Sequence, residues 1–166
     1  MKIIALSDTH RNYTALDTVL SRHADADMII HLGDGEEELD TYLAKHPHRG
    51  PQIWHVAGNC DRMTLSPPRL VLDLPFGHRL LAVHGHNEQV KFSYSGLLIA
   101  ARKEGADLVL FGHTHERLEH YEDGIWLFNP GSASCPRNST VPTYGAVDIT
   151  ESGILTNIIP VSDRSL

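Results

Sequence analysis

Thiols are scarce in this chain. Two cysteines, Cys60 and Cys135, allow one disulfide at most. They exclude a disulfide framework and supply no close thiolate pair for a structural zinc knot. Positive charge is also short: 14 Lys and Arg face 21 Asp and Glu, a formal net charge of -7. Such a balance argues against general binding to nucleic-acid polymers or anionic membranes. No apolar run approaches the ~20 residues of a membrane span, and residues 3–6 are too short for a signal-peptide core. The expected setting is therefore a reducing cytoplasm. Aromatic residues make up only 7%, but the apolar fraction of 41% over 166 residues suffices for a hydrophobic core. With no linker, repeat or low-complexity tract, the expectation is a single domain spanning 1–166. What the chain has in quantity is histidine, 12 in all.

The order of apolar runs predicts an α/β fold. Residues 2–6 read as a buried strand, and Leu16, Val19 and Leu20 as one face of a helix. Residues 28–32 form a second run, followed by a helix over 36–45 with acids in its first turn. Residues 52–57 form a third run. Strand-helix-strand-helix-strand packs around a mainly parallel sheet. Residues 70–74 and 79–84, around Pro75-Phe76-Gly77, resemble a hairpin, and 88–104 carry a helix weakened by Gly96. A short strand at 107–111 follows. Residues 117–122, 125–128, 144–149 and 154–159 then read as strands without helices between them, joined by Glu122-Asp123-Gly124 and Glu151-Ser152-Gly153 turns. Two packed sheets with helices on their outer faces fit this order.

Successive apolar runs end in the same kind of polar group. Asp8 and His10, Asp34, Asn59 and Asp61, His84 and His86, and His113 and His115 all stand at strand exits. Strand ends of an α/β sheet gather on one edge, where such folds place ligands. Any one of these residues alone is an ordinary polar turn or boundary group, but a series of them in order points to metal. Carboxylate, imidazole and amide oxygen suit Mn, Fe, Zn, Co or Ni better than Mg. Strand alternation is expected to aim the outer members of Asp8-Thr9-His10 and His113-Thr114-His115 the same way. Among the other histidines, His31 and His55 fall inside apolar patterns and are expected to be packed, while His23, His46, His48, His78 and His120 are expected to face solvent.

The ordered set Asp8-Thr9-His10, Gly33-Asp34, Gly58-Asn59-Cys60-Asp61, His84-Gly85-His86, Gly112-His113-Thr114-His115 and Asn129-Pro130-Gly131-Ser132 resembles the calcineurin-like metallophosphoesterase family. Within that family it is similar to the small, cap-less YfcE-like phosphodiesterases. The resemblance implies a four-layer αββα double β-sandwich with two divalent ions at one edge, Mn foremost. It assigns Asp8, His10 and His115 to one ion, Asn59, His84 and His113 to the other, and Asp34 to both. It further implies hydrolysis of small phosphodiesters by in-line attack of a hydroxide shared by the ions. Two divalent ions, two carboxylates and one hydroxide sum to about +1, matched to a phosphodiester of about -1.

One position departs from the wider family. Many relatives carry histidine after the metal-binding asparagine, where it helps protonate the leaving oxygen; here the residue is Cys60. A thiol is a poor substitute for imidazolium, so water, His86 or a good leaving group would carry more of that task. Arg11, beside the first motif, is placed to contact a phosphate oxygen. Asp34, Asn59, Cys60, His86 and Arg11 thus form the expected catalytic set. The core elements use most of the chain, leaving little for a capping domain, and the resemblance allows a homodimer. A phosphomonoesterase and a protein-binding scaffold, as in the retromer subunit of similar fold, are the competing readings.

Overall fold

The computed structural model describes residues 1–47, 50–62, 64–137, 139 and 141–162; His48 lies outside them. Ten strands form two five-stranded sheets. The first runs β10(Gly153–Pro160)-β9(Thr143–Thr150)-β1(Lys2–Leu6)-β2(Met28–His31)-β3(Gln52–His55). Within it β1, β2 and β3 are parallel, with Ile4 opposite Ile29 and Ile29 opposite Ile53, while β9 runs antiparallel to β1. The second runs β4(Arg69–Asp73)-β5(Arg79–Val83)-β6(Leu108–Leu110)-β8(Ile125–Pro130)-β7(Arg117–Glu122). Here β5, β6 and β8 are parallel and the edges antiparallel. The expected hairpin is therefore present as β4 and β5, joined through a single 3-10 turn at Pro75–Gly77.

Packing follows from the burial pattern. Central β1 is apolar without alternation, and Ile3, Ile4, Ala5 and Leu6 are all fully buried, as a strand covered on both faces requires. Ile3 and Ala5 face the second sheet, meeting Leu80, Ala82, Leu108, Leu110 and Phe128 in the layer between the sheets. Ile4 and Leu6 face the other way, onto α1(Tyr13–Arg22) and α2(Glu36–Lys45), against Leu16, Val19, Leu20 and Leu39. On the far side, α3(Ser95–Glu104) lays Leu97, Leu98 and Ala101 over Leu81, Val83, Val109 and Leu127. Helices, sheet, sheet and helix make the four layers. Among the described residues, no helix is long and apolar enough to cross a membrane.

Two expectations need correction. The helix expected over 88–104 begins only at Ser95, and residues 86–94 are turns. A side chain at Gly96 would run into the Glu88 carbonyl, so this glycine marks the point where the turns pack on the helix start. His23, expected to face solvent, is buried at the end of α1, its Nε2 2.8 Å from the Tyr144 hydroxyl. The buried tyrosine needs a polar partner, and the imidazole supplies one.

Candidate metal centre

Six parallel strands, β1, β2, β3, β5, β6 and β8, release the chain at one edge of the two sheets. The turns that follow them meet there. His115 Nε2 lies 3.2 Å from Asp8 Oδ1, and His84 Nε2 lies 4.0 Å from the same oxygen. Asp34 Oδ2 stands between two imidazoles, 3.5 Å from His84 Nε2 and 3.8 Å from His10 Nε2. His84 Nε2 is also 3.2 Å from Asn59 Oδ1, and its ring centroid is 5.0 Å from that of His113. His86 sits farther out, with ring centroids 5.4 Å from His84 and 6.0 Å from His113. Every expected metal-site residue is thus brought to one place, across more than 100 residues of sequence.

The turn geometry differs from the strand alternation expected. β1 stops at Leu6 and β6 at Leu110, so both triplets lie in turns. Nine non-glycine residues among those described have positive φ, and Asp8, His10, Arg11, Asp34, His113 and His115 are six of them. Left-handed backbone at consecutive exits turns the side chains inward, at a cost of about 1 kcal/mol or more for each. Gly58 is required by the same crowding: a side chain there would collide with the Asp34 carboxylate.

Surrounding groups hold these side chains in orientation. His84 Nδ1 donates to the Leu32 carbonyl at 2.6 Å, and His115 Nδ1 donates to the Cys135 carbonyl at 2.7 Å. Each neutral ring therefore presents a bare Nε2 to the centre. Asp8 Oδ2 accepts from Ser7 Oγ and the His113 N–H, and Asp34 Oδ1 accepts from the Cys60 N–H at 2.7 Å. Ser132 Oγ and Ser134 Oγ both donate to the Asp8 carbonyl, and Asn129 Nδ2 donates to the Gly112 carbonyl. The Asn129-Pro130-Gly131-Ser132 segment thus clamps two of the loops.

Three further supports were not assigned from sequence. Asp61, read there only as a polar residue at a strand exit, accepts four backbone N–H bonds, from Asp34, Gly35, Glu36 and Gly58, at 2.8–3.0 Å. It caps α2, whose own N-cap, Gly35, has no side chain to do so. Glu38, which falls in an acidic helix start, is buried and accepts from Thr9 Oγ1 and the Arg11 N–H. His31 Nδ1 accepts from the Gly33 N–H and its Nε2 donates to Thr9, fixing a neutral tautomer. Only the contacts reveal these roles, because most of them join segments 20 or more residues apart.

Electrostatics polarise the centre. Burial would raise the Asp8 and Asp34 carboxyls, but the adjacent His115 and His84 imidazoles and the Ser7 hydroxyl hold Asp8 down, and His84 and the Cys60 N–H hold Asp34 well below the ordinary range. Burial lowers His84, yet Asp34 and Asp8 outweigh it and raise its pKa; His115 is raised chiefly by Asp8. His113 is lowered to about 4 by burial and by His84, and His86 is lowered by the same two causes. Burial and the Asp34 carboxylate push the Cys60 thiol up.

The residues fit divalent metal. Asp8 Oδ1 is buried with no hydrogen-bond partner, although three imidazole Nε2 atoms lie within 4.0 Å. His10 and His115 set two Nε2 atoms 3.1 Å apart, an arrangement that a shared cation satisfies better than two neutral rings. Asp8, His10 and His115, and Asp8, Asp34 and His84, each bring ligand atoms within 4.8 Å of one another, as do His10, Asp34 and Cys60. His31 and His55, expected to be packed, lie behind this centre with ring centroids 5.2 Å apart.

An edge whose carboxylates and imidazoles could hold metal, on a four-layer αββα sandwich, is the arrangement of a metallophosphoesterase fold. A model of the calcineurin-like phosphoesterase superfamily domain matches residues 1–152. The chain is 31% identical to a probable metallophosphoesterase of Bacillus subtilis, YsnB, over 90% of this chain and 85% of that protein. It is 28% identical to the phosphodiesterase YfcE of Escherichia coli, over 100% and 95% respectively. A solved structure from Streptococcus pneumoniae, described as a predicted phosphoesterase, superposes with a TM-score of 0.85 at 30% identity, covering 96% of this chain and 89% of that one. The chain belongs to the calcineurin-like phosphoesterase superfamily. Within it, the chain is related to the small YfcE-like branch.

Proposed function

We propose that this chain is a dinuclear-metal phosphodiesterase acting on small phosphodiesters. The observation that carries the reading is Asp8 Oδ1, a buried carboxylate oxygen without a hydrogen-bond partner at the meeting point of three imidazoles. A buried anion so placed needs a cation. Asp8, His10 and His115 would hold one ion and Asn59, His84 and His113 a second, with Asp34 between them. Ions bound there supply Lewis acidity, which lowers the pKa of water and offsets charge on phosphoryl oxygens.

The chain's own groups orient and hold protons. Carbonyls behind His84 and His115 keep their Nε2 lone pairs inward. Arg11, exposed and paired with Glu37 at 3.1 Å, can exchange that surface partner for a phosphoryl oxygen at little cost. The raised pKa of Cys60 keeps its thiol protonated near neutral pH, while lowered His86 stays neutral and donates a hydrogen bond rather than a full charge. With only weak acids available, a leaving oxygen of low basicity is favoured, and a centre of about +1 matches a monoanionic diester better than a dianionic monoester.

Elemental analysis and turnover of bis(p-nitrophenyl) phosphate against p-nitrophenyl phosphate, with Mn present, test the proposal. Two ions per chain and faster diester turnover are expected, both lost in His10→Ala and Asp34→Asn. Full turnover with a single ion, or monoester turnover dominating, refutes it.

A further inference from the structure

The cleft beside the metal centre has a second wall with no task in the fold. Its volume is about 1270 Å³, and it runs from His10, Asp34 and Asn59 along the start of α2 to Arg62, Leu65 and Pro67. Leu65 is fully exposed. Its neighbours, in contrast, are tied down. Thr64 Oγ1 and Ser66 Oγ both donate to Glu36, and Ser66 Oγ is 2.8 Å from His55 Nδ1. The Pro67 carbonyl accepts from the Ala57 N–H at 2.9 Å. A loop pinned on both sides of one outward leucine presents a fixed apolar surface to the cleft, where burial of that leucine contributes nothing to folding.

The remaining groups in the cleft indicate what rests on that surface. Asp61 already occupies the N–H groups of Gly35 and Glu36, so the start of α2 is not free to take an anion. Glu36 and Glu38 are spent in hydrogen bonds within the wall. Of the charges left, Arg11 is paired with Glu37, and Arg62 shares the cleft with Asp40, so acids outnumber the two arginines along it. No surplus positive charge exists here to hold a second phosphate.

We infer that Leu65 and Pro67 form the subsite for one ester group of the substrate, and that this group is apolar and carries no negative charge, of aryl size. The assignment rests on the phosphoester reading of the metal centre and adds to it the chemical class of the ester. A polyanionic chain or a nucleoside polyphosphate does not match a wall in which acids outnumber bases.

Calorimetric titration of the Mn-loaded chain with methyl phosphate and phenyl phosphate separates the two readings. These ligands differ only in the ester group. Phenyl phosphate is expected to bind roughly fivefold more tightly, from the apolar area it covers. Leu65→Ser removes the preference, and Leu65→Phe retains it; both variants should melt like the wild type, because the side chain touches no core. Equal affinity for the two esters in the wild type, or a preference that survives Leu65→Ser, overturns the subsite alone. Failure of both esters to bind a chain that takes up Mn overturns the subsite, and the phosphoester reading falls with it if bis(p-nitrophenyl) phosphate is not turned over either.

Discussion

Replacing Asp61 with asparagine isolates how the β3 exit loop supports the metal centre. Its side chain is only 5% exposed. Oδ2 accepts from the Asp34 and Gly58 N–H groups, each at 2.8 Å, and Oδ1 from those of Gly35 and Glu36 at 2.9 and 3.0 Å. Asparagine has the same shape, but one of its two terminal atoms becomes a donor. Whichever atom that is, two backbone N–H groups lose their acceptor and face another N–H. At about 1.5 kcal/mol or more for each charge-assisted bond, the loss is ~3 kcal/mol. Urea unfolding followed by the fluorescence of Trp54 and Trp126 reads it directly, with Asp40→Asn on the exposed side of α2 as a control expected within ~0.5 kcal/mol of wild type. Mn affinity should fall about tenfold or more, because the Asp34 turn is then held less firmly. Acid adds a further signature. Burial would raise the Asp61 pKa, but His55 and the N–H groups of Glu36 and Gly58 hold it well below the usual range. Its contribution is therefore complete above the unfolded value of about 3.9 and lost as pH falls through the lower folded value. The penalty of Asp61→Asn should be constant from about pH 7 to 5 and shrink below about 4. A loss under ~1 kcal/mol at neutral pH would refute the capping role.

Two other outcomes follow from groups around the centre. Burial and the neighbouring His55 lower His31 to about 3, so the unfolded chain takes up a proton near 6.5 that the folded chain refuses. In metal-free protein, stability should fall as pH drops below ~6.5, by up to ~1.4 kcal/mol per unit from this residue, and the slope should flatten in His31→Leu. Arg11 has φ 66 with an exposed side chain, so Arg11→Gly should raise the melting temperature by about 1–3 °C by relieving left-handed strain. The same variant should raise KM for a phosphodiester with little change in kcat; an unchanged KM would remove Arg11 from substrate contact.

Much of the centre was legible because parallel strands impose it. Once residues 2–6, 28–32 and 52–57 read as buried strands joined by helices, their polar exits had to share an edge, and Asp8, Asp34 and Asn59 came together without further information. The same holds for His84 and His113 at the ends of β5 and β6. The periodic pattern did not reveal how the side chains turn inward. Alternation in an extended strand gave the right facing for Asp8 and His10 by the wrong route, since both lie in left-handed turns. Polar contacts that close at long range were equally hidden. Nothing local separates Glu38, a buried anchor for Thr9 and Arg11, from its exposed neighbour Glu37 in the same helical turn. His23 looked like a solvent-facing histidine at a helix end because its partner, Tyr144, lies 121 residues away.

Unfavourable features concentrate at this edge. Six of the nine left-handed non-glycine residues among those described, a buried carboxylate oxygen without a donor, and two imidazole nitrogens facing each other all fall there. The groups immediately behind them show the reverse. Asp61 fills both its oxygens, Asn129 uses its amide on Gly112 and Gly131, and Ser132 and Ser134 close on the Asp8 turn. Three apolar layers supply the stability against which that local cost is set. A closely bonded surround can hold these donors in place, whereas a loose one would let Asp8 turn away or find a hydrogen-bond donor. What the fold stabilises at this edge is therefore a preset group of carboxylate and imidazole donors, and binding a cation to them would require little reorganisation because the backbone strain is met during folding.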